Sequence, residues 1–194
     1  MRGMTFARRT ALALLLVPAL TGCGYNTIQT YDEAAQSAKQ QIEVQLQRRA
    51  DLVPNLVSTV QGFAQQEQAV FGAVAEARSK LLGAVQGGDV AQMAEANQGL
   101  TGSLGRLLAI SEAYPQLKSD QNFLRLQDEL SGTENRIAVA RTDYNESVQR
   151  YNTYIRKFPA VLTAKVIGSK ERVYFEVTNA AAREAPKVDF SKKP

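Results

Sequence analysis

The chain has 194 residues, 44% of them hydrophobic and 22% charged, which suits one domain with its own core and argues against a wholly disordered chain. With no His and a single Cys, it excludes a disulfide scaffold within one chain, most zinc sites, His-containing di-iron sites and every Ser-His or Cys-His nucleophile pair. The net charge of +4 is uneven: Arg2, Arg8 and Arg9 give the first 22 residues +3, and residues 23–194 carry only +1, which speaks against nucleic acid as a partner.

Residues 1–9 are short and basic, and an apolar run, Ala11 to Leu20, follows, broken by Pro18. About ten residues are too few to cross a bilayer, which takes about 20, so the pattern predicts an export signal. Leu20-Thr21-Gly22-Cys23 comes next and resembles the bacterial lipobox, with the sole thiol where a diacylglycerol would be attached. The reading is a lipoprotein signal peptide over 1–22 and a lipidated anchor and linker over 23–27. An ordinary signal peptide or a buried structural Cys is the alternative. Arg8-Arg9 lacks the rest of a twin-arginine motif. Gly24, rather than Asp, follows the Cys, which favours the outer membrane over the inner. The body is then expected to face the periplasm, held by a covalent lipid whose chains contribute about 0.8 kcal/mol per buried CH₂.

Four helices are expected in the body, residues 28–158. The first runs from about Ile28 to Arg49 along Ile28, Tyr31, Ala35, Ala38, Ile42 and Leu46. Pro54 fits a first helical turn and restricts Val53, so Ala50–Val53 is expected as a tight corner or sharp kink. The second helix, about Pro54 to Val85, has a stripe with steps of three and four: Val53, Leu56, Val60, Phe63, Glu67, Val70, Val74, Ala77, Leu81. Gly87-Gly88 ends it, and Asp89 to Gln92 reads as a capping box for the third, which stops at Pro115. The fourth starts near Ser119 or Asp120 and carries Phe123, Leu126, Leu130, Thr133, Ile137, Ala140, Tyr144, Val148, Tyr151, Ile155 and Phe158, about 57 Å of helix. Beyond it, residues 159–167 suit a short helix closed by Gly168, and residues 173–177 an extended segment lying on the bundle. Residues 180–194 suit a loose basic tail whose Lys187, Lys192 and Lys193 would touch anionic headgroups. The fold class is therefore all-α: an elongated antiparallel four-helix bundle with a short C-terminal helix and extended tail packed on it.

Three features are candidate sites. Gly99, Gly102 and Gly105 share one helical face, which favours close approach of another helix over a phosphate loop, since the Lys-Ser/Thr ending is missing. Glu67 interrupts the second stripe. A structural ion pair with Arg49 or Arg141 is favoured over a buried acid with a raised pKa, because an unpaired buried carboxylate is costly. Tyr144-Asn145 and Tyr151-Asn152 recur seven residues apart. Core tyrosines at the bundle edge, with asparagines bonding nearby, are favoured over an exposed recognition strip. No spacing offers a second acid, a nucleophile or a metal-ligand set, so no catalytic or metal residue is assigned and no enzyme is expected.

The segment Arg48 to Val57, with Phe63, Glu67 and Glu76-Ala77-Arg78, resembles the signature of the bacterial LemA family. So do Glu134 to Arg141, Tyr144-Asn145, Tyr151-Asn152, Phe158-Pro159, and Tyr25-Asn26 after the anchor. The resemblance implies an antiparallel helical bundle facing away from the cytoplasm. Relatives usually begin with a membrane-spanning helix, where this chain has a short run ending in a lipobox. It implies no reaction: a relative in magnetosome-forming bacteria is linked to membrane organelles, and LemA-like genes often neighbour envelope protease genes. The expected role is a non-enzymatic, lipid-anchored scaffold that binds membrane lipid and a copy of itself. The alternative is an adaptor for an envelope protease or other envelope protein. No cofactor is expected beyond the lipid on Cys23.

Overall fold

A computed structural model describes residues 3–176, with side chains from residue 24 onward. Val177 and the tail with Lys187, Lys192 and Lys193 lie outside the described residues, as do the side chains of Leu20, Thr21 and Cys23. The helices are α1 (Gly3–Gln61), α2 (Gln68–Gly87), α3 (Val90–Ala109), α4 (Pro115–Lys118), α5 (Gln121–Arg156) and α6 (Ala160–Ile167), with a 3₁₀ turn at Ile110–Glu112. Every one of the described elements is helical, as the periodicity requires.

α1 and α5 pack antiparallel along their length. Ile28 shares a small apolar cluster with Tyr151 and Ile155 at one end, and Arg49 meets Glu134 further along. α2 and α3 form a hairpin against the upper part of α1. At 20 residues each they span about 30 Å, against about 54 Å for the 36 residues of α5. The upper part is thus a four-helix bundle. In the lower part, the extended segment 171–176 lies where the hairpin does not reach, and Phe175 completes the same core.

The expected corner before Pro54 is absent. α1 continues through Pro54, and the chain turns instead at residues 62–67. The stripes of the expected first and second helices are in phase: Ile42, Leu46, Arg49, Val53, Leu56 and Val60 are all buried on one face. Pro54 has no N–H for the carbonyl of Ala50, four residues back. Arg78 on α2 fills that vacancy, its Nε donating to the Ala50 oxygen at 2.8 Å. Arg78→Ala is expected to cost about 1–3 kcal/mol by orphaning this carbonyl. In a Pro54→Ala background, where the restored N–H closes the bond, the same loss should be small. Equal Arg78→Ala costs in both backgrounds, read from urea melts, would refute the pairing.

In the 62–67 turn, Ala64 is buried while Phe63 is partly exposed. Gln66 donates to the Tyr114 hydroxyl at 2.6 Å, tying this turn to the one between α3 and α4. The other ends follow their sequence signals. Gly88 closes α2 with φ +67°, and Asp89 accepts from the Gln92 N–H. Asp120 accepts from the Phe123 N–H, and Gly168 closes α6 with φ +74°. The α5 stripe is buried from Phe123 to Ile155. Phe158 departs from it: Lys157 is extended, which breaks the helical phase and leaves Phe158 81% exposed. Gly99, Gly102 and Gly105 face solvent, and a Cβ added to any of them would meet nothing within 4 Å, so no described helix approaches them closely.

Candidate functional site

Two polar constellations stand out, both built on α5. The first lies in the upper bundle. Arg49 is 4% exposed, because the α1 seam carries it inward in phase with Leu46 and Val53. Its Nη1 donates to Asn97 Oδ1 on α3 at 2.6 Å and sits 2.6 Å from Glu134 Oε2 on α5. One guanidinium therefore joins three helices. Its Nε is buried with no hydrogen-bond acceptor. Burial pushes the Arg49 pKa below the usual arginine value, and the Glu134 carboxylate pulls it back up. The expected pair with Glu67 does not form. Glu67 sits in the 62–67 turn as the residue before α2, its carbonyl accepting from the Val70 and Phe71 N–H groups. Arg141 is exposed on α5. The reason is the turn itself: it takes Glu67 off the seam that an unbroken helix would have given it.

The second constellation clamps the extended strap 171–176. Tyr144, Tyr151 and Asn152 are buried, and Asn145 is half-buried, so these residues form an inward face of core tyrosines with bonding asparagines and not the alternative exposed strip. Asn145 Oδ1 accepts from the Phe175 N–H at 2.8 Å, and its amide donates to the Phe175 carbonyl at 3.3 Å. Asn152 does the same for Arg172, at 2.8 and 2.9 Å. Each amide satisfies one residue's backbone as a neighbouring strand would. The spacing fits: seven residues of helix rise about 10.5 Å, and three residues of extended chain span about 10 Å. The Tyr144 hydroxyl donates to the Val173 carbonyl at 2.7 Å. Burial pushes the Tyr144 pKa up, with the Arg172 charge opposing it, which favours the donating form.

Arg172 fastens the strap to α1. Its guanidinium makes a bidentate pair with Asp32 at 2.8 and 3.0 Å, reaches Gln36 at 3.3 Å and lies 5.9 Å from the Tyr151 ring centre. The bond to Asp32 is the main cause of its raised pKa. Asn97 does not stand out in the sequence, and Glu134, though it opens the second LemA-like motif, carries no local sign that it faces Arg49. Arg172 and Asp32 are 140 positions apart, and the matched spacings of the asparagines and the strap are the one local signal of the clamp.

Both constellations bond helices or strap to one another, and their hydrogen bonds run between protein groups. Among the described residues no group of His, Cys, Asp and Glu is placed to hold a metal ion. No helix there is long and apolar enough to cross a membrane. Fold and site together define a helical-bundle protein whose inward polar residues lock long helices side by side.

The chain belongs to the LemA family, whose model matches residues 38–190. It is 30% identical to Magnetosome protein MamQ 2 and to MamQ 1 of Paramagnetospirillum magneticum over 175 residues, covering 78% of this chain and 64% of each relative. It is also 30% identical to Magnetosome protein MamQ of Magnetospirillum gryphiswaldense, with the same coverage. The chain thus spans about two thirds of the length of these relatives, at 64%. Within the LemA-like motifs, Arg49, Ala50, Arg78, Glu134, Asn145 and Asn152 take part in the locking contacts.

Proposed function

We propose that the chain is a non-enzymatic envelope protein, anchored by lipid on Cys23 and facing the periplasm, that serves as a rigid scaffold at a membrane. The supporting observation is the stiff path from anchor to body. Gly24, next to Cys23, is packed so closely on α6 that a Cβ there would lie 3.3 Å from Thr163 Oγ1. From that seat α1 and α5 run about 50 Å to the far end. The relatives' magnetosome names are consistent with work at a membrane.

An open groove between α2 and α3, walled by Ala73, Ala77, Gly83, Ala84, Ala96 and Gly99, leaves room for another helix. It suits a second copy, or a helical envelope partner if the chain is an adaptor. In cells fed a labelled fatty acid, the wild type is expected to take up label and sediment with membranes, and Cys23→Ser to take up none. An unlabelled wild type would overturn the anchor. Cross-linking in the same cells should yield ladders of this protein. Capture of one distinct envelope protein, without ladders, would replace scaffold by adaptor.

A further inference from the structure

We infer that α6 is a membrane-seating element: its outer face lies in the headgroup region of an anionic lipid surface, beside the anchor. This rests on the anchored reading above. α6 is built inside out for a helix in water. Its inner positions are small, with Ala160, Thr163 and Ala164 buried against α1 and α5. Its larger residues point outward: Leu162 is 58% and Val166 85% exposed, with Phe158 just before the helix and Ile167 at its end also uncovered. Leu162 and Val166 stand four residues apart on one ridge of α6, and Phe158 is exposed where the chain enters the helix. A contiguous exposed apolar ridge marks a surface that something else covers.

Position and charge identify the occupant. A Cβ on Gly24 would lie 3.3 Å from Thr163 Oγ1 and 3.8 Å from the Ala160 Cα, so the residue that would carry the lipid is one step from a backbone seated on α6. With about 3.8 Å between successive Cα atoms, an inserted acyl chain holds α6 within about 10 Å of the bilayer surface. Lys157, Lys165 and Lys170 flank the ridge, all exposed and none ion-paired among the described residues. Apolar side chains beside unpaired lysines are the pattern of a helix lying in a lipid interface, where it buries its apolar face about 5–10 Å deep. Tyr25, exposed at the same end, suits the headgroup level, where tyrosine is enriched.

The chain has no tryptophan, so a single indole reports its own site. Val166→Trp places it on the ridge. Val139→Trp, at an exposed position 12 residues before Tyr151, which lines the same hollow as Ile167, places it about 18 Å further along the bundle. Both are made in the full chain, purified lipidated from membranes and reconstituted on phosphatidylglycerol-containing vesicles with brominated acyl chains. The Val166→Trp emission should shift to the blue and lose about half or more of its intensity, while Val139→Trp is unchanged, given the shallow burial expected. Phe158→Trp, a milder aromatic exchange, should behave like Val166→Trp and covers the case of a misfolded variant. A protein that floats with vesicles while its ridge indole stays unquenched would overturn the seating and leave the anchor standing. Failure to float would overturn both. A blue shift without vesicles would also overturn the seating, assigning the ridge to a second copy if it grows with concentration and to the chain's own tail if it does not.

Discussion

Glu134→Ala is expected to destabilise the bundle by about 3 kcal/mol, lowering Tm by on the order of 10 °C. The substitution strands the Arg49 guanidinium, whose side chain is 5% exposed, with Asn97 as its remaining partner. The loss is at the low end for breaking a buried pair because the Glu134 side chain is itself 47% exposed and partly screened. Removing both charges is different, since an apolar pair of similar volume leaves no buried charge unpaired, and the half-buried Asn97, which loses its Arg49 donor, still reaches water. Arg49→Met with Glu134→Leu should therefore recover most of the loss. A thermal melt of the single and double variants decides the matter: if Glu134→Ala melts with the wild type, the three-helix junction contributes nothing to stability.

Phe175→Ala should cost about 3–4 kcal/mol, the usual loss on truncating a buried phenylalanine. Phe175 is 1% exposed and holds the strap to the core. The loss should be local before it is global. With its apolar plug gone, the strap keeps only the polar bonds from Asn145, Asn152 and Tyr144 and the Arg172–Asp32 pair. Brief trypsin treatment should then cut after Arg172 much faster than in the wild type, while α1–α5 stays intact. Phe175→Leu should restore most of the protection. Uniform cutting along α1 and α5 at the same rate would show instead that strap and bundle unfold as one unit.

The fold is legible in the sequence wherever one helix obeys one period. The stripe from Phe123 to Ile155 is buried as its spacing requires, and Gly88, Asp89, Asp120 and Gly168 end or begin helices as their chemistry dictates. At Pro54 a local restraint competes with phase, and phase wins. Proline lacks one N–H, but the seam on either side of it is continuous, and a donor 28 residues beyond Ala50, Arg78, answers the orphaned carbonyl. The stripe across 62–67 misleads in the opposite way: apolar steps continue through a turn, and they imply a helical seam that Glu67 does not occupy. The polar sites are half legible. Asparagines bonding near core tyrosines follow from the residue pattern, and so does a strap of extended chain. Their union does not, because it joins residues 20 to 140 positions apart and no local pattern encodes such a partner.

The way Asn145 and Asn152 hold the strap also bears on how this sequence can drift. Both amides address backbone N–H and C=O groups, which every residue except proline supplies in full. Val173, between the clamps, is therefore under little constraint and points its side chain largely into solvent, 64% exposed, while Tyr174 packs against the core. The information that places the segment is written mostly in α5 and in Arg172 and Phe175. Position 173 is free to change and position 174 is held only to a side chain that can cover the core, provided that proline is kept from the two clamped residues.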